Sequence, residues 1–307
     1  MCGCGWIDAV TIAPAGIAPV VAQHAASLQG RDTGVVGRLG AVFAVRRADP
    51  HPSPLPLRYS AVDPEGEGTG VCGSETVARV SVSGVLELRR PDLTDDRFFL
   101  RNVTAGIFGG DTYDISLTCE AGASARVEPT SATKVYAMPD LGATSHVRLR
   151  ADRGGRLVWG PHTTILHAES DYASVIEVEL VGGVVIVAET VAMGRLASGE
   201  AFAFRRYDSR LTVRDEAGTV LFAERGSLAP STTLRDAMAG RGALTTVYAL
   251  GMQPDAWMAE RLTDVTSGVD LAGWSVLPNG AGIVGKGLAG SGSQGEAFAR
   301  AFIHAMG

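Results

Sequence analysis

The chain is short of cysteine, with Cys2, Cys4, Cys72 and Cys119 its only four in 307 residues. A disulfide scaffold is therefore excluded. It has no excess of basic residues: 27 Lys and Arg stand against 33 Asp and Glu, a net charge of −6. A general nucleic-acid binder or anionic-membrane binder would be basic, so neither partner is expected. No Lys or Arg precedes Arg31, and Asp8 interrupts the first apolar stretch, so the basic region of a signal peptide is missing. Apolar runs stay well short of the ~20 residues of a membrane helix. These lacks predict a cytoplasmic chain. Neither G-x-S-x-G nor H-E-x-x-H occurs, and no carboxylate pair reads as a glycosidase constellation, so the residues alone give catalysis little support.

What is present is an ordinary globular balance, 46% hydrophobic and 20% charged, which excludes wholesale disorder. Glycine is abundant, 39 residues without a Gly-X-Y period, as expected for many tight turns between short strands. Residues 1–74 form a poorly defined N-terminal segment and linker, with Pro, Gly and acid concentrated over 49–70. Residues 75–307 form the body. From 75 to 225 the period is 2, with Val77, Arg79 and Ser81 alternating against Ala78, Val80 and Val82. The segments YDISLTCE, ARVEPT, SHVRLRA, RLVWG, SVIEVELVGGVVIVAET and SRLTVRD read as further strands. Gly109-Gly110-Asp111, Glu120-Ala121-Gly122, Asp152 to Gly155, Gly182-Gly183 and Glu216 to Gly218 mark the turns. Regular strands without helical blocks between them argue against a doubly wound sheet and for a sandwich, barrel or solenoid. Helices are expected over 231–240, 255–266 and 294–306, the last capped by Ser293 with Glu296 completing a capping box.

Several motifs invite a sharper reading. Gly280 to Gly287 fits both G-x-G-x-x-G and, through Lys286, G-x-x-x-x-G-K. Only 20 residues follow, too few for a dinucleotide unit, and Gly287 offers no hydroxyl for Mg²⁺, so a glycine-rich hairpin is expected. Cys2 and Cys4 could chelate a soft metal, but no His lies near. His162 and His167, five apart, point to opposite faces of an unbroken strand and cannot chelate together. Glu177 and Glu179 read as a solvated strand face.

Five blocks in order carry a family resemblance. Ala105 to Asp111 resembles the GGxxGGD signature of the urease accessory protein UreD family, and Ser131 to Tyr136 its ATKVY segment. Gly155 to Leu166 follows its G-x-L-x-W-x-P-x-x-T-I-L stretch, through Trp159, Pro161 and Thr164 to Leu166. Gly194 to Phe202 is similar to its GRxxxGExF block, and Leu277 to Gly282 to its penultimate strand. The chain departs at Val103, Thr104, Ala105 and Thr130, and at Thr163, where the family has an acid, with His162 beside it and His167 for the aromatic.

The resemblance implies a mainly β fold, a β-helix-like stack of short strands with C-terminal helices. It implies a non-catalytic scaffold that binds urease apoprotein, UreF and the GTPase UreG. Nickel would pass transiently through its body, with no tightly bound cofactor. Such a route must release its ion, which suits sparse carboxylates, hydroxyls and an occasional imidazole better than a thiolate cage. Family matching nominates Asp111 and Glu189 for the route, and local chemistry adds Glu128 and His162. Gly109, Gly110 and Gly199 are expected to be architectural. Thr133, Lys134, Tyr136, Arg195 and Glu200 are structural or interface residues. The rivals are a β-solenoid hydrolase or lyase, which needs two inward carboxyls about 5 to 10 Å apart, and an interaction scaffold without a metal route.

Overall fold

The computed structural model describes residues 34–46, 75–92 and 95–307. Cys2, Cys4, Cys72 and the 49–70 stretch lie outside these residues. Sixteen strands among the described residues form two facing sheets. One contains β1 (Val36–Arg46), β2 (Glu75–Ser83), β5 (Thr112–Cys119), β8 (Ala143–Asp152), β10 (Asp171–Val181), β12 (Arg206–Asp215) and β13 (Val220–Leu228). Its order is β13-β12-β10-β8-β5-β1-β2. The other contains β3 (Leu86–Arg89), β4 (Arg97–Asn102), β6 (Ser124–Pro129), β7 (Thr133–Val135), β9 (Arg156–Leu166), β11 (Val184–Ala192), β14 (Ala243–Leu250), β15 (Ala272–Val276) and β16 (Gly282–Ala289). Its order is β15-β16-β14-β11-β9-β6-β4-β3, with β7 also on β9.

The chain reaches this arrangement by coiling. β5 leads to β6, β8 to β9 and β10 to β11, each passage placing one strand in each sheet. Neighbouring coils therefore pair in parallel, β5 with β8, β8 with β10, β6 with β9 and β9 with β11. This is the solenoid-like stack of strands that was expected. The coil corners hold one another: Gly122 donates to the Arg153 carbonyl at 3.2 Å and Gly154 to the Gly182 carbonyl at 3.1 Å. Gly122, Gly154 and Gly182 all have φ near +70 to +76°, which only glycine adopts without strain.

Alternation decides what fills the space between the sheets. On β10, Tyr172, Ser174, Ile176, Val178 and Leu180 face inward and are buried, while Glu177 and Glu179 face outward. Those two carboxylates meet Arg148 at 3.8 Å and Arg150 at 2.6 Å, the solvated face anticipated from sequence. Strand β1 falls inside the segment expected to be poorly defined. Its Leu39, Ala41 and Phe43 are buried in the main core, and it runs parallel to β5.

Three α-helices are described: α1 (Thr232–Ala237), α2 (Ala256–Ser267) and α3 (Gly292–Ala305). Each N-cap is a side-chain acceptor, Ser231, Asp255 and Ser291 respectively. The cap of α3 is thus two residues earlier than expected. Gln294, not Glu296, turns back to bond the Gly290 amide, leaving Glu296 free to reach other elements. α3 lies on the outer face of the nine-stranded sheet, its Phe298, Phe302 and Ile303 buried against Ile186, Val247 and Ile283. Burial of each such side chain is worth about 1.5–3 kcal/mol.

The glycine-rich motif explains itself here. β15 and β16 are an antiparallel hairpin joined through Pro278–Gly280. A Cβ on Gly285 would sit 2.4 Å from the Phe302 ring, and one on Gly287 3.2 Å from Phe298. The glycines make room for α3, and the motif lies in the turn and in β16 itself, not in a loop at a helix N-terminus.

Candidate functional site

A cavity of about 120 Å³ lies between the sheets, on the side of the 104–107 and 129–134 segments. One wall is a row of hydroxyls. Tyr113 on β5, Ser145 on β8 and Ser174 on β10 are register partners, and the row continues to Ser209 on β12. The other wall includes His162 on β9 and its register partner Glu189 on β11; the same row runs on, beyond the lining, to Thr246 on β14. Trp159, Thr164, Thr133 and Tyr172 also line it, together with apolar Leu86, Leu100, Ile107, Ile115 and Val147.

His162 faces inward because β9 carries an extra residue. Val187 pairs with Trp159, but Glu189 pairs with His162, so three residues of β9 match two of β11. Trp159 and His162, which a regular strand would point to opposite faces, therefore share one face and stack at 4.0 Å. Burial pushes the His162 imidazole down to about 3, so it is neutral. Its Nε2 is buried without a partner.

Glu189 lies among Val185, Val187 and Val191 on the inward face of β11. It makes no hydrogen bond or ion pair with the described residues, and it is the one carboxylate lining the cavity. Burial pushes it up to about 7. Buried Tyr172 and Tyr207 have their phenols raised, first by burial and then by other groups including Glu189. Isolated in this way, the carboxylate gains from meeting water or a cation. The described residues hold no group of three or more His, Cys, Asp or Glu able to grip a metal. The chamber offers one anionic oxygen pair, one imidazole and several hydroxyls, a weak and open ligand set.

The other nominated residues are placed elsewhere. Asp111 is buried but does not line the cavity. Its Oδ1 accepts from the Val35 amide at 2.9 Å, and its Oδ2 from the Phe108 amide at 2.9 Å and the Tyr113 hydroxyl at 3.1 Å. It closes a turn and orients Tyr113, whose phenol is pushed up to about 12 by burial and by this carboxylate. Glu128 faces the opposite way, toward α3, where Arg300 donates twice to its Oε2 at 3.2 Å. Thr163 also points to α3, its Oγ1 3.2 Å from Glu296 Oε2. The position where the family has an acid is therefore outside the chamber, and its change to Thr163 leaves the chamber wall unaltered.

Gly109 and Gly110 shape the turn before Asp111: a Cβ on Gly109 would lie 2.7 Å from the Leu141 carbonyl, and Gly110 has φ +84°. Lys134 is exposed, and its carbonyl accepts from Ile107 at 2.8 Å. Tyr136 stacks on Phe108 and meets His167 edge-on, each at 4.8 Å, so the two histidines belong to separate aromatic groups. Arg195 and Glu200 pair at 2.5 Å, and this guanidinium holds Glu200 below the usual carboxylate range. Glu200 also accepts from the Ala168 amide at 3.0 Å, and Gly199 closes the 3-10 turn between them at φ +73°.

The model of the UreD urease accessory protein family matches residues 69–306. The chain belongs to this family. It is 37% identical over 202 residues to the urease accessory protein UreD of Haloarcula marismortui, covering 63% of this chain and 66% of that one. The protein of the same name from Cupriavidus pinatubonensis is 35% identical over 164 residues (52% and 56%), and that from Mycolicibacterium gilvum 32% over 142 (46% and 52%). The chain thus spans between about half and two-thirds of the length of these relatives. Among the described residues, no helix is long and apolar enough to cross a membrane.

Sequence reading missed the hydroxyl row. Its signal was present: SHVRLRA, SVIEVEL and SRLTVRD each open on a serine that the parallel register brings side by side, and YDISL opens on Tyr113.

Proposed function

We propose that this chain serves urease maturation as a docked scaffold, joining urease apoprotein with UreF and the GTPase UreG. Nickel is its cargo, and the inter-sheet chamber is part of the path. The observation that carries this reading is Glu189, a carboxylate without a partner among the described residues, on the wall of a cavity that also presents hydroxyls. A divalent ion that keeps part of its water shell is attracted by one carboxylate and bridged by neutral oxygens. With no second acid and no thiolate in the chamber lining, it also leaves. The single carboxylate does not supply the acid and base pair of a glycoside hydrolase.

The test is reconstitution from urease apoprotein, UreF, UreG, GTP and nickel, with metal content of the product and size-exclusion of the complex read in parallel. Omitting this chain should leave urease inactive, and full activation without it ends the scaffold reading. Glu189→Gln should lower nickel loading while the complex still assembles. Unchanged loading with this variant would leave a scaffold without a metal route.

A further inference from the structure

The outer face of the seven-stranded sheet carries a pattern that the chamber does not use. α2 and α3 pack on the other sheet, against β15 and against β9, β11, β14 and β16. On the seven-stranded sheet, β8, β10 and β12 present charged residues that pair in detail. Arg148 meets Asp114 at 3.3 Å and Glu177 at 3.8 Å, Arg150 meets Asp152 at 2.9 Å and Glu179 at 2.6 Å, and Arg206 meets Asp171 at 3.1 Å and Asp208 at 3.6 Å. Asp208 is further occupied by the Ser227 hydroxyl at 2.6 Å.

Arg210 on β12 and Arg225 on β13 break this pattern. They are direct cross-strand partners on the outward face, both exposed. Neither makes an ion pair or hydrogen bond with the described residues. Like charges placed directly opposite one another destabilise an antiparallel pair. Two guanidinium forks side by side satisfy this repulsion when an anion sits between them, each fork offering two parallel donors to a carboxylate.

The flanking charges choose the kind of anion. A nucleic-acid strand or an anionic bilayer presents negative charge continuously, and Asp171, Asp208, Glu177 and Glu179 on the same face would repel it. A protein surface presents acid locally and can set basic groups against those carboxylates. The chain as a whole is acidic, so a pair of uncompensated arginines is a local exception. We propose that the β12–β13 outer face is a docking surface for an acidic segment of a partner protein, clamped between Arg210 and Arg225.

The full-length chain is titrated into fluorescent decaglutamate at low ionic strength and followed by anisotropy, which requires no urease, nickel or other maturation protein. The parent should bind, and added salt should weaken it. R210S/R225S should weaken binding by at least about tenfold, and R210K/R225K by less, since charge remains while the fork is lost. Arg214→Ser on the same strand, whose side chain already donates to the Gly218 carbonyl, should stay within about twofold of the parent. The proposal is overturned if the parent does not bind, if R210S/R225S binds like the parent, or if Arg214→Ser loses as much. Tighter binding of deca-thymidylate than of decaglutamate would overturn it in favour of a nucleic acid.

Discussion

Glu189 and His162 sit side by side on parallel strands β11 and β9, facing inward, one step beyond the point where β9 gains its extra residue. Burial acts on them in opposite senses, raising the acid to about 7 and lowering the base to about 3, and both changes favour the neutral form.

For Glu189 the folded value lies above the ordinary 4.5. Its burial costs nothing below pH 4.5, costs progressively more between 4.5 and 7, and a constant amount above that. Glu189→Gln should therefore stabilise the nickel-free chain by about 1–3 kcal/mol at pH 8 and by little at pH 4.5, the figure discounted because the carboxyl faces a cavity. Urea unfolding at the two pH values checks this. A stability loss at pH 8 would mean that the carboxylate has a partner after all.

For His162 the folded value lies below the ordinary 6.5. Stability is complete above pH 6.5 and is lost as pH falls from there toward 3. His162→Phe should flatten the acid side of the stability profile between about pH 6 and 4. Thermal melts across that range, parent against variant, read the difference.

Ser174→Leu places a branched apolar group in the hydroxyl row. Nickel-dependent activation in the reconstituted mixture should slow by at least about tenfold, the effect of 1.4 kcal/mol added to passage. Assembly of the complex, judged by size-exclusion, should be unchanged because Ser174 is buried between the sheets.

Asp111→Ala removes the acceptor for two backbone amides and the Tyr113 hydroxyl. A loss of about 2–4 kcal/mol is expected, and less for Asp111→Asn, which keeps one oxygen. Chemical denaturation reads both.

Gly285→Val should loosen α3, because a Cβ at Gly285 already meets the Phe302 ring. The expected cost is about 1–3 kcal/mol from overpacking. ATP and NAD titrations of the parent should give no binding, since these glycines serve the helix.

Strands with one face to the core and one to solvent were legible because their side chains alternate. β10 shows this cleanly. β14 is not legible as a strand, because α3 covers one of its faces and the core the other; Val247, Tyr248, Ala249 and Leu250 are all buried in succession and the alternation vanishes. β1 was hidden by its setting between the apolar N-terminal stretch and the Pro-rich 49–70 stretch. The chamber was half legible. Glu189 stands out through the family and His162 through its chemistry, but spacing along β9 does not show that a bulge turns His162 inward and Thr163 outward. Glu128 offers the same chemistry in sequence, and the structure turns it toward α3 and Arg300. Which of two faces a side chain takes depends on register, and one inserted residue reverses it.

Much of the outer side of the nine-stranded sheet stays uncovered until α3 is made, since α2 contributes only Met258 and Leu262 as buried members of that cluster. Ile186 and Val247 are made more than about 50 residues before Phe298, Phe302 and Ile303 arrive to shield them. Nascent chains stopped short of about residue 290 would therefore display a bare oily surface, and early termination should yield inclusion bodies instead of a shortened soluble product.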